Sequence, residues 1–492
     1  MTKSLFATAF PLAVFFIVGI APLGVSARAA ERPNIILMMA DDLGWGDTGY
    51  NGHATLKTPH LDAMARDGLR FERFYSGAPV CSPTRGSCLT GRHPYRYGIF
   101  FANVGHLPRQ EVTLPELLRA LGYTTGHFGK WHLGTLSKTV KESNRGGPLG
   151  VADYAPPWDN GFDVCFSTEA KVPTHDPLLK RKGAGNTWWD PVDDDADAVE
   201  YGTHYWTGDG EMVTDDLRGD DSRIIMDRAI PFVREAVKQD KPFFTVIWFH
   251  APHLPVVAGP KYTAMYQGAD KHSQHYWGCI TALDEQVGRL RAELKQLGVE
   301  RNTLLWFASD NGPEGNDRAP GTTNGLRGRK RSLFEGGVRV PGLLVWPERV
   351  KPGDSTQVPA STCDYLPTVL DLLGIERADE RPLDGVSLLP LIAGEMKQRP
   401  RPIPFESARQ LALVDNRYKI VHQPQGGRRG GGGGKQGELT AADFLLFDIQ
   451  ADPGEQSDLA AEHADVVARM AERLLSWRKS CRESLAGDDY HE

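Results

Sequence analysis

Four apolar runs along the chain share one design, each passing directly into polar residues capable of chemistry. Asn34–Ala40 (Asn-Ile-Ile-Leu-Met-Met-Ala) leads into Asp41-Asp42, and Thr303–Ala308 leads into Ser309-Asp310-Asn311-Gly312. Phe243–Phe249 leads into His250-Ala-Pro-His253, and the weaker run Tyr123–Phe128 leads into Gly129-Lys130-Trp131-His132. Unbroken apolar stretches of this length suit strands buried on both faces of a mainly parallel sheet. Polar clusters at their ends suit the rule that α/β proteins bind ligands beyond the carboxyl ends of strands. Any single run reads equally well as ordinary core; the argument lies in the recurrence.

Helical patterns separate these runs. Thr113-Leu-Pro-Glu116 is a capping box, followed by Leu114, Leu117, Leu118 and Leu121, with Gly122 where a C-terminal cap glycine belongs. Thr58-Pro59 opens another helix that Gly68 closes. From Tyr276 to Leu297, Ile280, Leu283, Val287, Leu290, Leu294 and Leu297 recur at helical spacing on one face. Alternating strands and helices predict an α/β sandwich. Beyond Gly394 the pattern changes. Pro400–Pro404 is proline-rich, Leu411–Val421 and Phe444–Ile449 read as strands of a small sheet, and Val467, Met470, Leu474 and Trp477 mark a last packed helix. The run Gly426–Lys435 is compositionally a flexible loop without phosphate-loop spacing.

The amino terminus changes the expected compartment. Lys3, a mostly apolar stretch from Leu5 to Val25 and the small-x-small site Ala27-Arg28-Ala29 predict a cleavable signal peptide over residues 1–29. A membrane anchor is the competing reading; Pro11, Pro22 and the cleavage site favour removal. A secreted or periplasmic protein with no stable membrane insertion is therefore expected. The rest is long enough for a catalytic domain over 31–394 and a smaller subdomain over 395–492. A net charge of −7 with both signs interspersed does not indicate nucleic acid as a partner. Six cysteines, at 81, 88, 165, 279, 363 and 481, lack zinc-finger spacing and are too sparse for a disulfide scaffold. Their pairing stays open.

Asp41, Asp42, Asp310 and Asn311 supply three carboxylates and an amide oxygen, the ligand set of a hard divalent cation. Asp-Asp alone is more often a cap or turn, but two such groups each end an apolar run. No histidine or thiolate belongs to these four, which disfavours zinc. Cys81 opens Cys-Ser-Pro-Thr-Arg-Gly-Ser-Cys-Leu-Thr-Gly-Arg92. By itself it reads as a structural thiol or half of a disulfide with Cys88. Pro83 suits the first turn of a helix, which places residue 81 where the helix dipole favours negative charge.

The segment Cys81–Arg92 resembles the sulfatase family, in which this cysteine is oxidised to formylglycine by a formylglycine-generating enzyme reading the unfolded chain. The resemblance runs from Pro33 to about Leu459, ending in Leu446-Phe-Asp-Ile-Gln-Ala-Asp-Pro-Gly-Glu455. It implies an alkaline-phosphatase-like α/β sandwich: a large mixed, mainly parallel sheet flanked by helices, plus a smaller C-terminal α+β subdomain with a short antiparallel sheet. One calcium, rather than magnesium, is implied at Asp41, Asp42, Asp310 and Asn311, with residue 81 itself reaching the ion. Gly129-Lys-Trp-His-Leu-Gly134 resembles the family's lysine-x-histidine element, and His250-Ala-Pro-His-Leu-Pro255 its later histidine element, whose spacing selects His253 over His250. Lys330 precedes a Glu-Gly-Gly-x-Arg segment like the family's, although Arg327, Arg329 and Arg331 compete with it. Ser167 and Thr168 both stand where the family often has a serine, and neither is selected.

The resemblance also implies roles. Asp310 takes the proton of the attacking hydroxyl, and Arg85 and Lys130 hold the hydrated aldehyde. His253 and Lys330 bind sulfate and one protonates the leaving alcohol, while His132 deprotonates the second hydroxyl. Such a site needs cations because charge builds on the sulfuryl oxygens and the departing alcohol. The implied activity is sulfate-ester hydrolysis, with a sulfated glycan the expected substrate of a secreted enzyme. A phosphodiester or phosphonate monoester hydrolase of the same superfamily, or a non-catalytic sulfated-glycan-binding protein, are the alternatives. Trp188-Trp189, ahead of Asp193, Asp194, Asp195 and Asp197, reads either as a sugar-stacking loop or as packed core.

Overall fold

The four apolar runs form four adjacent strands at the centre of a nine-stranded sheet. The computed structural model describes residues 1–2, 32–142, 145–377, 379–424 and 439–490. Nearly all of the expected signal peptide and the whole run Gly426–Lys435 lie outside these residues. Pro33–Glu492 form one compact unit, separate from Met1–Arg32. The sheet is built from β1 (Asn34–Ala40), β2 (Leu69–Phe71), β3 (Thr124–Lys130), β4 (Val164–Thr168), β5 (Tyr205–Thr207), β6 (Phe243–Trp248), β7 (Thr303–Ser309), β8 (Gly342–Val345) and β9 (Asp354–Thr356). Their spatial order is β9-β2-β8-β7-β1-β6-β3-β4-β5. β7, β1, β6, β3 and β4 are mutually parallel neighbours, while β8 and β5 run against the strands beside them.

Period-two alternation sends successive side chains of each strand to opposite faces, and both faces are covered. Ile35, Leu37 and Met39 pack with Phe244, Trp248 and Trp306 under α2 (Cys81–Thr90) and α3 (Leu114–Ala120). Ile36, Met38 and Ala40 pack with Ile247 and Phe307 against α1 (Pro59–Asp67), α4 (Asp221–Lys238) and α5 (Lys271–Gln296). That is why these strands read as unbroken apolar runs rather than alternating ones. The Thr113–Glu116 capping box forms, and Gly122 adopts a left-handed φ of 85° after the helix. α5 begins before the expected Tyr276, at a cap where the Asp270 side chain accepts from the Ser273 N–H.

The C-terminal sheet is antiparallel, with β10 (Ile403–Ser407), β11 (Gln410–Val414), β12 (Tyr418–His422) and β13 (Leu445–Asp448) in sequence order. The expected segment Leu411–Val421 is thus a hairpin rather than a single strand. Its edge strand β10 carries Pro404, which an edge tolerates because half of its backbone groups need no partner. α6 (Ala464–Ala486) packs Val467, Met470 and Leu474 on one face through Leu411, Leu413 and Ile420. The other face packs Phe405, Val414 and Phe447 on Leu333, Phe334 and Val338. The segment that carries Lys330 is therefore held between the two sheets.

Candidate active site

β1 and β7 pair in register up to Ala40 and Ser309, so Asp41-Asp42 and Asp310-Asn311 emerge side by side at one sheet edge. The Asp42 N–H donates to Asp310 Oδ1 at 3.1 Å, and Asn311 Nδ2 donates to Asp42 Oδ1 at 2.7 Å. α2 starts at Cys81, and its Sγ lies 3.6 Å from Asp41 Oδ1. The thiol is almost completely buried, and burial pushes its pKa up to about 12. It is therefore protonated at neutral pH and a weak nucleophile as it stands. All six cysteines are free and buried, so no disulfide joins Cys81 to Cys88.

Cations fill the spaces between the carboxylates. Lys130, at the last position of β3, holds Asp41 Oδ2 at 2.6 Å. Arg85, one turn into α2, donates to Asp310 Oδ2 at 2.7 Å and to the Lys130 carbonyl at 2.9 Å. Lys330 grips both oxygens of Asp42 at 2.5 and 2.7 Å. Its competitors point elsewhere: Arg327 lies over the Phe334 ring, Arg329 donates to backbone carbonyls and Arg331 pairs with Glu314. Burial acts to raise every carboxyl here, and the neighbours decide the outcome. Lys130, His253, Arg85 and Lys330 hold Asp41 well below the ordinary carboxylate value. Asp42 stays raised despite Lys330, and Asp310, buried beside Asp41, is raised to about 7.

Both expected histidines reach the site. His132 Nε2 contacts Asn103 Oδ1 at 2.7 Å, which places the proton on Nε2 and leaves the buried Nδ1, without a partner among the described residues, as the basic atom. His253 Nδ1 donates to the Leu254 carbonyl at 2.6 Å, and its Nε2 lies 3.7 Å from Asp42 Oδ2. Burial, then nearby lysines, push both histidines well below their ordinary pKa. His250 is excluded because both its ring nitrogens are engaged, by Asp221 at 2.8 Å and Thr168 at 2.7 Å. Asp42 and His132 adopt left-handed φ values of 68° and 59°. Such conformations in non-glycine residues collect at functional sites, where surrounding structure enforces them.

Asp41, Asp42, Cys81 and His253 bring one ligand atom each within 4.8 Å of one another. The loop after β6 turns His253 back onto Asp42, so a histidine adjoins the carboxylates expected to hold the ion. Asp310 and Asn311 join the group through their hydrogen bonds to Asp42. Asn311 Oδ1 is buried without a hydrogen-bond partner among the described residues, an orphaned acceptor in a group of hard oxygen donors. These residues fit a divalent cation.

A cleft of about 280 Å³ opens above residue 81, lined also by Lys130, His132, His253 and Lys330. Residues that the sequence reading missed share it, among them Phe101, Asn103, Lys171 and Glu314. They sit on loops without periodicity or motif, so no local signal marks them. Trp188, half-buried, stacks on His275, Trp189 is buried, and neither lines the cleft. Ser167 bonds His127 and Thr168 bonds His250, so neither hydroxyl serves the cleft.

The sulfatase family model matches residues 33–375, the whole span that carries these groups. The chain belongs to the sulfatase family. A model described as N-sulphoglucosamine sulphohydrolase, C-terminal, matches residues 328–424. Arylsulfatase A of Homo sapiens is 32% identical, with 92% of this chain and 88% of the relative covered. N-acetylgalactosamine-6-sulfatase of Mus musculus is 29% identical over 93% of this chain and 88% of its own. A solved structure of Ps i-CgsB in complex with k-i-k-neocarrahexaose superposes with a TM-score of 0.74 at 27% identity, covering 91% of this chain and 93% of that one. Membership makes this sulfatase a sulfuric ester hydrolase of alkaline-phosphatase-like fold. Among the described residues no helix is long and apolar enough to cross a membrane.

Proposed function

We propose that the protein is a secreted or periplasmic, calcium-dependent sulfatase of sulfated carbohydrates that works through formylglycine at position 81. The observation that carries this reading is the convergence of Cys81, three carboxylates, Asn311 and five cationic or imidazole groups at the ends of β1, β3, β6 and β7. Burial of Cys81 supports conversion by a formylglycine-generating enzyme before the chain folds, since the folded protein offers that enzyme almost no access. Carbohydrate substrates are supported by the neighbour crystallised with a neocarrahexaose and by the N-acetylgalactosamine-6-sulfatases among the relatives.

The hydrated aldehyde supplies an oxygen nucleophile and a second hydroxyl whose deprotonation releases sulfate, which divides one hydrolysis into two easier steps. Asp41, Asp42, Asp310, Asn311 and residue 81 would hold the calcium, which supplies charge stabilisation at the sulfuryl oxygens. Asp310 accepts the proton of the attacking hydroxyl. Arg85 and Lys130 fix the two hydroxyls and balance their charge. His253 and Lys330 bind the sulfate, and one of them delivers a proton to the departing alcohol oxygen. His132, with Nε2 tied to Asn103, takes the second proton at Nδ1.

Desulfation of a panel of sulfated mono- and polysaccharides, with and without a chelator, tests the reading. Peptide mass spectrometry at residue 81 accompanies it. Aldehyde in place of thiol and loss of turnover on chelation are expected. Fully active protein containing only unmodified cysteine would overturn the mechanism, and faster turnover of phosphate than sulfate esters would favour the phosphoester alternative. Detectable desulfation that vanishes in Cys81→Ala removes the non-catalytic alternative.

A further inference from the structure

The cleft contains one cation for which the reaction at residue 81 has no use. Arg85, Lys130 and Lys330 each hold a carboxylate of the centre, and Arg331 on the rim holds Glu314 through two bonds of 2.7 and 2.8 Å. Lys171 lines the same cleft, is half-buried, and has no hydrogen-bond or ion-pair partner among the described residues. The chain leaving β4 fixes its place. The Glu169 carbonyl accepts from the His132 N–H at 3.0 Å, and Thr168 Oγ1 donates to the Ala170 carbonyl at 2.7 Å. Burial, then Lys130 and Lys330, push the ammonium below the ordinary lysine value. Keeping an unpaired charge there is unfavourable unless an anion arrives with the substrate.

A sulfate monoester brings one negative charge, and the groups at its attack site already face it. The surroundings of Lys171 fit the alcohol portion instead. Phe101 lines the cleft without a ring partner among the described residues, an apolar surface for a sugar face. Asn186 also lines it, and its Oδ1 accepts from Lys180 Nζ at 3.0 Å, which brings a second ammonium toward the mouth.

We propose that Lys171 binds a second anionic group on the leaving sugar, a further sulfate or a carboxylate, so that this site selects doubly anionic carbohydrates. The proposal rests on the sulfatase reading above. A lysine suits the task, being a point charge on a flexible stem that accepts either anion without demanding bidentate geometry.

Steady-state kinetics of the wild type, Lys171→Ala and Lys171→Arg test it. The substrates are p-nitrophenyl sulfate, positional isomers of galactose monosulfate and galactose disulfate, and sulfated glucuronic acid. The wild type is expected to have a higher kcat/KM on a doubly anionic sugar than on its singly sulfated counterpart. Lys171→Ala should shrink that ratio on the order of 10- to 100-fold, the size of one lost charged hydrogen bond. Lys171→Arg should restore much of it. Whether the disulfate or the uronate loses its advantage identifies the second anion. Equal losses on every sulfate ester would place Lys171 on the reacting sulfate and overturn the proposal, as would an unchanged ratio. Absence of all turnover, including p-nitrophenyl sulfate, in wild-type protein with residue 81 converted would instead overturn the sulfatase reading itself.

Discussion

Between the two sheets, Lys419 is sealed against Glu335 at 2.8 Å and Glu455 at 3.0 Å, whereas beyond β1 Lys330 grips Asp42 below an open cleft. Both lysines and their partners are buried. At the junction Glu335 is also bound by Tyr75 at 3.0 Å, so its oxygens are satisfied from within the protein. At the active site three carboxylates crowd together beneath the cleft, Asp310 is raised to about 7 as Glu455 is at the junction, and Asn311 Oδ1 has no hydrogen-bond partner among the described residues. The same chemical groups therefore do different work according to whether a cleft leaves room for a ligand beside them. Buried charges sealed on all sides hold parts together, and a cluster below a cleft can take a ligand. One sequence motif feeds both regions, because Lys330 goes to the site while Glu335, a turn later in the chain, goes to the junction.

Removing the nucleophile should give the largest effect. Cys81→Ala is expected to lower desulfation on the order of 10⁴-fold or more, with little change in melting temperature. The contrast sharpens with Lys419→Ala, which strands Glu335 and Glu455 as buried charges. It should cost about 3–5 kcal/mol in denaturant titrations while leaving turnover per folded molecule. A Lys419→Ala protein of normal stability without activity would break the comparison.

Metal addition probes the cleft side alone. Calcium at 100 times its Kd should stabilise the wild type by about 2.7 kcal/mol, read as a rise in melting temperature that a chelator reverses. Asn311→Ala should move that rise to higher calcium, and Lys419→Arg should not move it.

The smallest expected effect is acid sensitivity at the junction of α6 with the main unit. Asp384 accepts from Arg96 at 2.8 Å and from Trp477 at 2.8 Å. Burial alone would raise its carboxyl, but Arg96 outweighs burial and holds it at about 2, below the ordinary 3.8. The folded value is the lower one, so this stabilisation is complete above pH 3.8 and is lost as pH falls toward 2. The loss is worth about 2 kcal/mol. Asp384→Asn should be less stable at neutral pH and lack this contribution to the acid slope, seen by comparing pH-dependent melting curves.

Much of the architecture was legible because it rests on short-range rules. The strands beginning at Asn34, Phe243 and Thr303 were readable from unbroken apolarity, which burial on both faces requires wherever the strand sits in the sheet. The Thr113–Glu116 box is a contact across one turn, so four residues specify it. Pro404 in an edge strand was not legible, since nothing local says which strand of a sheet lies at its edge.

The amino-acid sequence by itself determined the central strands, the helix that begins at Cys81 and the carboxylates that end β1 and β7. Each depends on side-chain period, capping or composition within one segment. The tertiary structure alone supplied the contacts by which His253 and not His250, and Lys330 and not its arginine neighbours, meet Asp42, choices the family resemblance already favoured, and it alone decided that Trp188 stacks on His275 and that Lys171 faces the cleft. These choices are made between residues that are alike in type and close in the chain. They turn on strand register and on the path of loops, which bring together groups from opposite ends of the fold and which no local pattern records.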